Sequence, residues 1–559
     1  MLYPLSYEGG MTHSDATGTC RAPCLRAQRC GMKAADLATW LTERIQLNIW
    51  RARGPEARAV STIGHMSGLR PNVLLITLDQ FRADAMSCAG HPLVRTPNLD
   101  RLAAVGVRFA RHHSQAAPCG PGRASLYTGM YQANHRVVAN GAPLDDRFDQ
   151  IARLMRRAGY VPTLFGYTDQ SLDPALADGP EDPRLHTYEG VLDGFEVEAA
   201  LFQGCAEWLD WLRERGHDVP AHTGHRPDHD VVIGVLAAEP ERPADHSISA
   251  YLTNRFIDWH ATGTRPYEPW FAHLSYLRPH PPYAAAGRFS TMYDPADTGE
   301  PHPIPERRHP YHDLVLAVPE ATAPADPSEL AHMRAQYFGM VSEVDHQLGR
   351  VWDHLVATGQ WETTMIVLTA DHGEQLGDQG LQEKLGYFPS SYHIGCIVRD
   401  PGRPDAHGST VDAFTENIDV LPTIAEAVGV PVPLQCDGFP LTPFLDGRTP
   451  AHWRSAAHWE YDWRSVYTLM GVAPQWPWDR RLERANLAAV RTEDHLFVHF
   501  GDGSQWCLDL AADPGGSVVV DDPELISSLA GQMLTWRANS LDRRLAGMLT
   551  LDGGIGRTP

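Results

Sequence analysis

Apolar residues run along this chain in two rhythms, and their alternation implies an architecture. Asn72-Val-Leu-Leu-Ile-Thr-Leu78 is a nearly continuous apolar run, the pattern of a strand buried on both faces, and it ends in Asp79-Gln80. Tyr160 to Tyr167, Trp270 to Tyr276 and Met365 to Ala370 have the same character. The first of these closes in Gly166-Tyr167-Thr168-Asp169 and the last in Asp371-His372-Gly373-Glu374. The middle one delivers Arg278-Pro279-His280-Pro281-Pro282-Tyr283, whose prolines forbid a helix. Between the strands the period changes. Leu330, Met333, Tyr337, Val341, Val344, Leu348 and Val351 recur at helical spacing, which predicts a long amphipathic helix over Ser328 to Ala357. Arg95-Thr96-Pro97-Asn98-Leu99 opens another, with Thr96 as its cap and Pro97 at its first position. Glu416 to Val428 is a third. Residues 181–243, rich in Pro, Asp, His and Gly, read as a surface excursion, with His222, His225 and His229 in a solvated loop.

Beyond about Thr449 the pattern shortens. Leu487 to Arg491, His495 to Phe500 and Gln505 to Leu510 are separated by turn residues such as Asp502-Gly503, and a helix over Pro523 to Trp536 follows. The expected fold is α/β: a large, mostly parallel sheet sandwiched by helices, plus a small C-terminal antiparallel sheet with a helix. The expected boundaries are an appendage at 1–70, poorly ordered or partly helical, a catalytic domain at 71–448 and a small α+β subdomain at 449–559.

Composition narrows the function. Among 559 residues, Lys+Arg 47 against Asp+Glu 69 leave a formal charge of −22, which argues against a nucleic-acid or anionic-membrane surface. No apolar run approaches the roughly 18 residues of a membrane helix. Met1 to Arg70 lacks the apolar core of a secretory signal, and Ala34 to Arg51 has the spacing of an amphipathic helix. Cys20, Cys24 and Cys30 have no fourth metal ligand at a sensible spacing, and the scattered cysteines suit a reducing cytoplasm.

The chemistry concentrates in Pro118-Cys-Gly-Pro-Gly-Arg-Ala-Ser-Leu-Tyr-Thr-Gly129. Gly120, Pro121 and Gly122 turn the backbone into a helix, placing Cys119 at its N-terminus, where the dipole is expected to lower a thiol pKa. Arg123, one turn on, is aimed at the same anion. Asp79 and Asp371, both at strand ends, suit a divalent cation, and the neighbouring His372 moves the preference from calcium towards manganese, zinc or iron.

Cys-x-Pro-x-Arg followed by x-x-x-x-Thr-Gly, here Cys119, Pro121, Arg123, Thr128 and Gly129, resembles the sulfatase signature of the alkaline phosphatase superfamily. The resemblance implies a sulfatase-like fold, and oxidation of Cys119 to formylglycine by a formylglycine-generating enzyme, with the hydrated aldehyde as nucleophile. Two departures narrow it: Gln80 stands where many sulfatases have a second Asp, and Gly166-Tyr-Thr-Asp169 replaces a Gly-Lys-x-His segment. With Arg278-Pro-His280-Pro-Pro, Asp371-His-Gly-Glu-Gln-Leu-Gly377 and Glu460-Tyr-Asp-Trp-Arg464, the chain is similar to bacterial phosphonate monoester hydrolases.

That branch implies hydrolysis of phosphonate monoesters and phosphodiesters, often of sulfate esters too, by a metal-dependent homo-oligomer, a dimer or tetramer. By position, Asp79, Gln80, Asp371, His372 and modified Cys119 would hold one divalent cation, manganese ahead of calcium, zinc or iron. Arg123 and Lys384 would hold the non-bridging oxygens. Asn140 and Tyr167 would contact the hydrated aldehyde or the substrate, and His280 would stand near the leaving group. Asp169 occupies a position where the branch has Thr, so Thr168, Asp169 and His280 all stand as proton acceptors for reopening the aldehyde. The alternatives are a sulfatase in the narrow sense and a silent anion-binding member; intact Cys119, Arg123, Asp79, Asp371 and Lys384 weigh against the latter.

Overall fold

The computed structural model describes residues 70–557 except 188, 203, 221–228, 264–268, 465, 467–479, 542, 544–547 and 552–553. The appendage with Cys20, Cys24, Cys30 and the segment Ala34 to Arg51, and also His222 and His225, lie outside the described residues.

Eight strands form the large sheet: β1 (Asn72–Leu78), β2 (Val107–His113), β3 (Pro162–Gly166), β4 (Glu196–Ala200), β5 (Phe271–Tyr276), β6 (Thr364–Ala370), β7 (Ile397–Arg399) and β8 (Ser409–Glu416). Their order is β4-β3-β5-β1-β6-β7-β2-β8, and every pairing is parallel except those of β7. β1 lies between β5 and β6, and all seven of its residues are buried. Period-two alternation splits its side chains. Leu74, Ile76 and Leu78 face one core and Val73 and Leu75 the other, which is why the run looks continuous in sequence.

The helix expected over Ser328 to Ala357 spans Pro327–Ala357, capped by Asp326, and buries Met333, Tyr337, Val341, Val344, Leu348 and Val351. The helix Pro97–Ala104 forms as expected, but its cap does not come from Thr96. The Thr96 hydroxyl accepts from the Ser87 N–H at 2.8 Å, and Asp345, reaching across from the long helix, accepts from the N–H groups of Asn98 and Leu99 at 3.0 and 2.8 Å.

The described part of the 181–243 segment holds more regular structure than its composition implies. It contributes edge strand β4 and the helices Ala206–Glu214 and His229–Ala237, and Trp208, Leu209 and Leu212 are fully buried. Three apolar residues at helical spacing outweigh the surrounding Pro and Asp. The helix expected from Glu416 starts at Val420 instead, because Glu416 ends β8 and Asn417–Asp419 form an intervening 3-10 turn. β2 and β8 escaped the sequence reading although only β8 lies at the sheet edge, with β2 between it and β7. Their polar, partly exposed patterns, VRFARHH and STVDAFTE, lack an apolar run.

The second sheet is antiparallel, in the order β12-β11-β10-β9, from β9 (Ala457–Asp462), β10 (Asn486–Arg491), β11 (His495–Phe500) and β12 (Gln505–Asp509). Leu529, Met533 and Trp536 of the helix Pro523–Asn539 share a core with β10 and β11. β9 also clips onto the large unit, where the Glu460 N–H donates to the Gln115 carbonyl at 2.9 Å, four residues before Cys119. Among the described residues no helix is long and apolar enough to cross a membrane.

Asp345→Ala removes the cap of Pro97–Ala104 and is expected to cost about 1–2 kcal/mol in equilibrium urea unfolding. An unchanged midpoint would mean that Asp345 does not stabilise that helix.

Candidate active site

The register of β1 against β6 builds the site. Leu78 lies opposite Ala370, so the next residues, Asp79 and Asp371, emerge side by side at the carboxyl edge of the sheet. The helix Cys119–Thr128 brings its first turn against the same edge. That approach needs Gly122, where a Cβ would lie 2.6 Å from the Asp371 carbonyl oxygen. Ligand atoms of Asp79, Cys119, Asp371 and His372 all fall within 4.8 Å of one another, and all four residues are buried. Cys119 Sγ is 3.2 Å from His372 Nε2 and 3.8 Å from Asp79 Oδ1. His372 Nδ1 pairs with the Gly373 carbonyl at 2.9 Å, so the proton sits there and the Nε2 lone pair faces the cluster.

Arg123 lies behind this cluster rather than in front of it. Fully buried, it donates through Nε to Asp371 Oδ2 at 2.9 Å and through Nη2 to Asp79 Oδ2 at 3.1 Å. Its Nη1 donates to Ser275 Oγ at 2.8 Å and to the Tyr167 carbonyl at 3.2 Å, and the Tyr167 ring stacks 4.1 Å from the guanidinium. These protein acceptors occupy its nitrogens. Arg123 thereby braces the two carboxylates.

Burial alone would raise the Asp79 carboxyl, but His280, Arg123 and Lys384 hold it well below the carboxylate range. Burial and the charge on Asp79 push Asp371 up to about 7. Burial and Lys384 keep His372 neutral, with its pKa down at about 4. The Cys119 thiol departs from expectation. Burial, with Asp79 and Asp371, pushes it well above the usual thiol value and overrides the helix dipole. The unmodified side chain is therefore a neutral thiol and a poor nucleophile.

Lys384 and His280 stand on the other side of Gln80. Lys384 Nζ donates to Gln80 Oε1 at 2.8 Å and lies 3.0 Å from His280 Nε2, and His280 Nδ1 pairs with the Pro281 carbonyl at 2.8 Å. The Tyr167 hydroxyl donates to Asp79 Oδ2. Asn140, exposed, accepts the Gly120 N–H at 2.9 Å and so steadies the turn that presents Cys119. The Thr168 hydroxyl is spent on the loop, donating to the Gly190 carbonyl and accepting the Leu192 N–H. Asp169 is buried in the left-handed region at φ 54, and burial pushes its carboxyl up to about 7. The sequence reading did not single out Glu374, Tyr283 or Ser275. Glu374 is fully buried and pushed up to about 7 by burial and Glu383. Its position inside Asp371-His-Gly-Glu374 was a usable signal, whereas Ser275 is recognisable only from its register opposite Thr77.

The donor set of two carboxylates, one imidazole lone pair and residue 119 fits a divalent cation. The sulfatase family model matches residues 71–430, and a model of the C-terminal part of N-sulphoglucosamine sulphohydrolase matches residues 377–534. The chain is 36% identical over 505 residues to the multifunctional alkaline phosphatase superfamily protein PehA of Trinickia caryophylli, across 85% of this chain and 97% of that protein. It is similar to the crystal structure of the phosphonate monoester hydrolase of Agrobacterium radiobacter, at 38% identity and TM-score 0.77, across 87% of this chain and 99% of that one. A second similar structure is phosphonate monoester hydrolase SpPMH of Silicibacter pomeroyi, at 35% identity and TM-score 0.75, with coverage of 87% and 99%.

Arg123→Met leaves two buried carboxylates without their counter-charge, and a loss of about 3–5 kcal/mol in urea unfolding near neutral pH is expected. Asp371, already raised, is driven higher in this variant. A carboxyl whose folded pKa exceeds its unfolded one costs stability in full above the folded pKa, and that cost shrinks as the pH falls until it vanishes below the unfolded pKa. The deficit should therefore shrink as the pH falls from about 8 towards about 5. A deficit independent of pH would contradict the bracing role.

Proposed function

The chain belongs to the sulfatase family of the alkaline phosphatase superfamily, and from that premise we propose that it hydrolyses phosphonate monoesters and phosphodiesters, and sulfate esters besides. The observation that carries this reading is the buried quartet of Asp79, Cys119, Asp371 and His372 beside the Lys384–His280 pair. The catalytic unit is residues 71–448, with residues 449–559 as its smaller subdomain. Asp79, Asp371, His372 and residue 119, with Gln80 beside them, would hold one divalent cation, manganese ahead of calcium, zinc or iron; it would polarise the ester and acidify the attacking hydroxyl. Formylglycine made from Cys119 by a formylglycine-generating enzyme would supply that hydroxyl in place of the unreactive thiol.

The remaining steps belong to the chain's own side chains. Lys384 offers an ammonium to the non-bridging oxygens. His280, with Nδ1–H fixed on the Pro281 carbonyl, shares a proton with Lys384 through Nε2 where the leaving oxygen departs. Arg123 and Tyr167 keep Asp79 anionic and oriented. Asp169, with its carboxyl raised, is the candidate proton acceptor within the site; Thr168 is already engaged in the loop.

Peptide mass spectrometry of active enzyme is expected to show the aldehyde or its hydrate at residue 119, and Cys119→Ser should lose at least about a hundredfold in turnover. An active preparation carrying only the unmodified thiol would overturn the reading.

The same site predicts a substrate order. Tyr167 and Asp169 stand where typical sulfatases carry a Lys and a His, so the field is less positive and a dianionic phosphate monoester gains least. kcat/KM for phosphodiesters and phosphonate monoesters should exceed that for matched phosphate monoesters by at least about tenfold, or roughly 1.4 kcal/mol. Fastest turnover of the phosphate monoester in a matched aryl-ester panel would sink the charge argument.

A further inference from the structure

We infer that Glu374 is a positioning residue that decides which end of the Gln80 amide faces Lys384, and through it where that ammonium points; this rests on the hydrolase reading above. Gln80 sits just past β1 at φ 66, a left-handed conformation that a non-glycine residue adopts only when its surroundings impose it. They impose it from both sides. Its N–H donates to Asp371 Oδ1 at 3.1 Å, and its carbonyl accepts from the Tyr337 hydroxyl at 2.8 Å. With the backbone fixed, one freedom remains to the buried side chain: the half-turn that exchanges Oε1 and Nε2.

Glu374 removes that freedom. Its Oε1 accepts the N–H groups of Leu376 and Glu383, each at 2.7 Å. Its Oε2 accepts from Gln80 Nε2 and from the Tyr283 hydroxyl, the latter at 2.9 Å. Four donors converge on two oxygens, so only a group that accepts at both ends satisfies them all. Once Nε2 is held, Oε1 is turned into the site, where Gln80 would also meet the cation, and lies 2.8 Å from Lys384 Nζ; Lys384, paired as well with Glu383 Oε2 at 3.1 Å, reaches His280. The reversed amide would set its oxygen against a carboxylate and its NH2 against an ammonium, two repulsions in a site shielded from water.

An isosteric change tests this. In Glu374→Gln the two backbone N–H groups cannot move, so the new oxygen stays with them and the new NH2 turns towards Gln80. Gln80 then reverses and presents NH2 to Lys384. The exchange Gln80→Glu/Glu374→Gln restores an acceptor at both places, because the carboxylate at position 80 accepts from the new amide and from Lys384 alike. Glu374→Gln is expected to lower kcat/KM on an aryl phosphonate monoester and a phosphodiester by at least about tenfold, and the exchange variant to recover most of that loss. Acylation of Lys384 by acetic anhydride, followed by peptide mass spectrometry, provides a readout that does not need turnover. It should be at least about threefold faster in Glu374→Gln, whose Lys384 exchanges the Gln80 acceptor for an NH2 while keeping Glu383 Oε2 at 3.1 Å, and return to the wild-type rate in the exchange variant. Unchanged Lys384 acylation in Glu374→Gln, or an exchange variant no better than the single variant by either readout, overturns the inference. The exchange variant carries this requirement even if the single variant does not fold. Wild-type protein that hydrolyses none of these esters would sink the functional reading instead, while the acylation pattern would still decide the role of Glu374.

Discussion

The pairing of β1 with β6 forces Asp79 and Asp371 together at a sheet edge closed to solvent, and most of the site answers that repulsion. Two like charges about 4 Å apart cost roughly 4 kcal/mol even at an effective dielectric near 20. The fold does not relieve this by separating the carboxylates. Instead it threads Arg123 behind both and lets Tyr167 donate to one of them. The divergence of Asp79 and Asp371, one held low and the other raised, follows from this arrangement. A pair of that kind, with an imidazole lone pair and residue 119 beside it, suits a cation approaching from the side that Arg123 leaves open.

How far the sequence could be read depends on what kind of contact was involved. Strands buried on both faces announce themselves as apolar runs, so β1, β5 and β6 fall within a residue or two of their expected ends. The carboxylates that terminate two of the strands were legible for the same reason. β2 and β8 were not, since half-buried or partly exposed strands rich in polar residues present no apolar run, and β4 was hidden in a segment whose overall composition is polar. The cap of Pro97–Ala104 was misread because a local Thr stood at the right position while the real acceptor, Asp345, comes from a helix far along the chain.

Within the site, residue identity was easier to read than role. Cys119, Arg123, Lys384 and His280 stood out from their motifs, but which way Arg123 faces depends on tertiary neighbours such as Ser275 and the Tyr167 carbonyl. The thiol was misjudged similarly. A helix N-terminus is visible in sequence, whereas full burial beside two carboxylates is a property of the assembled sheet edge. Glu374 escaped notice because its partners, Gln80, Tyr283 and the Glu383 N–H, lie on three separate loops.

On the proposed formylglycine reading, the burial of Cys119 would also constrain when the protein can mature. The residue is 6% exposed, lies beneath the end of β6 and sits four residues beyond the point where β9 fastens the chain. A modifying enzyme that must enclose this segment would find the finished fold shut. At roughly 5–20 residues per second, synthesis of the intervening chain takes on the order of tens of seconds. During that interval neither β6 nor β9 exists to cover Cys119. Conversion to formylglycine would then be a race against translation, decided before the polypeptide is complete, and a copy that folded first would stay locked in its thiol form.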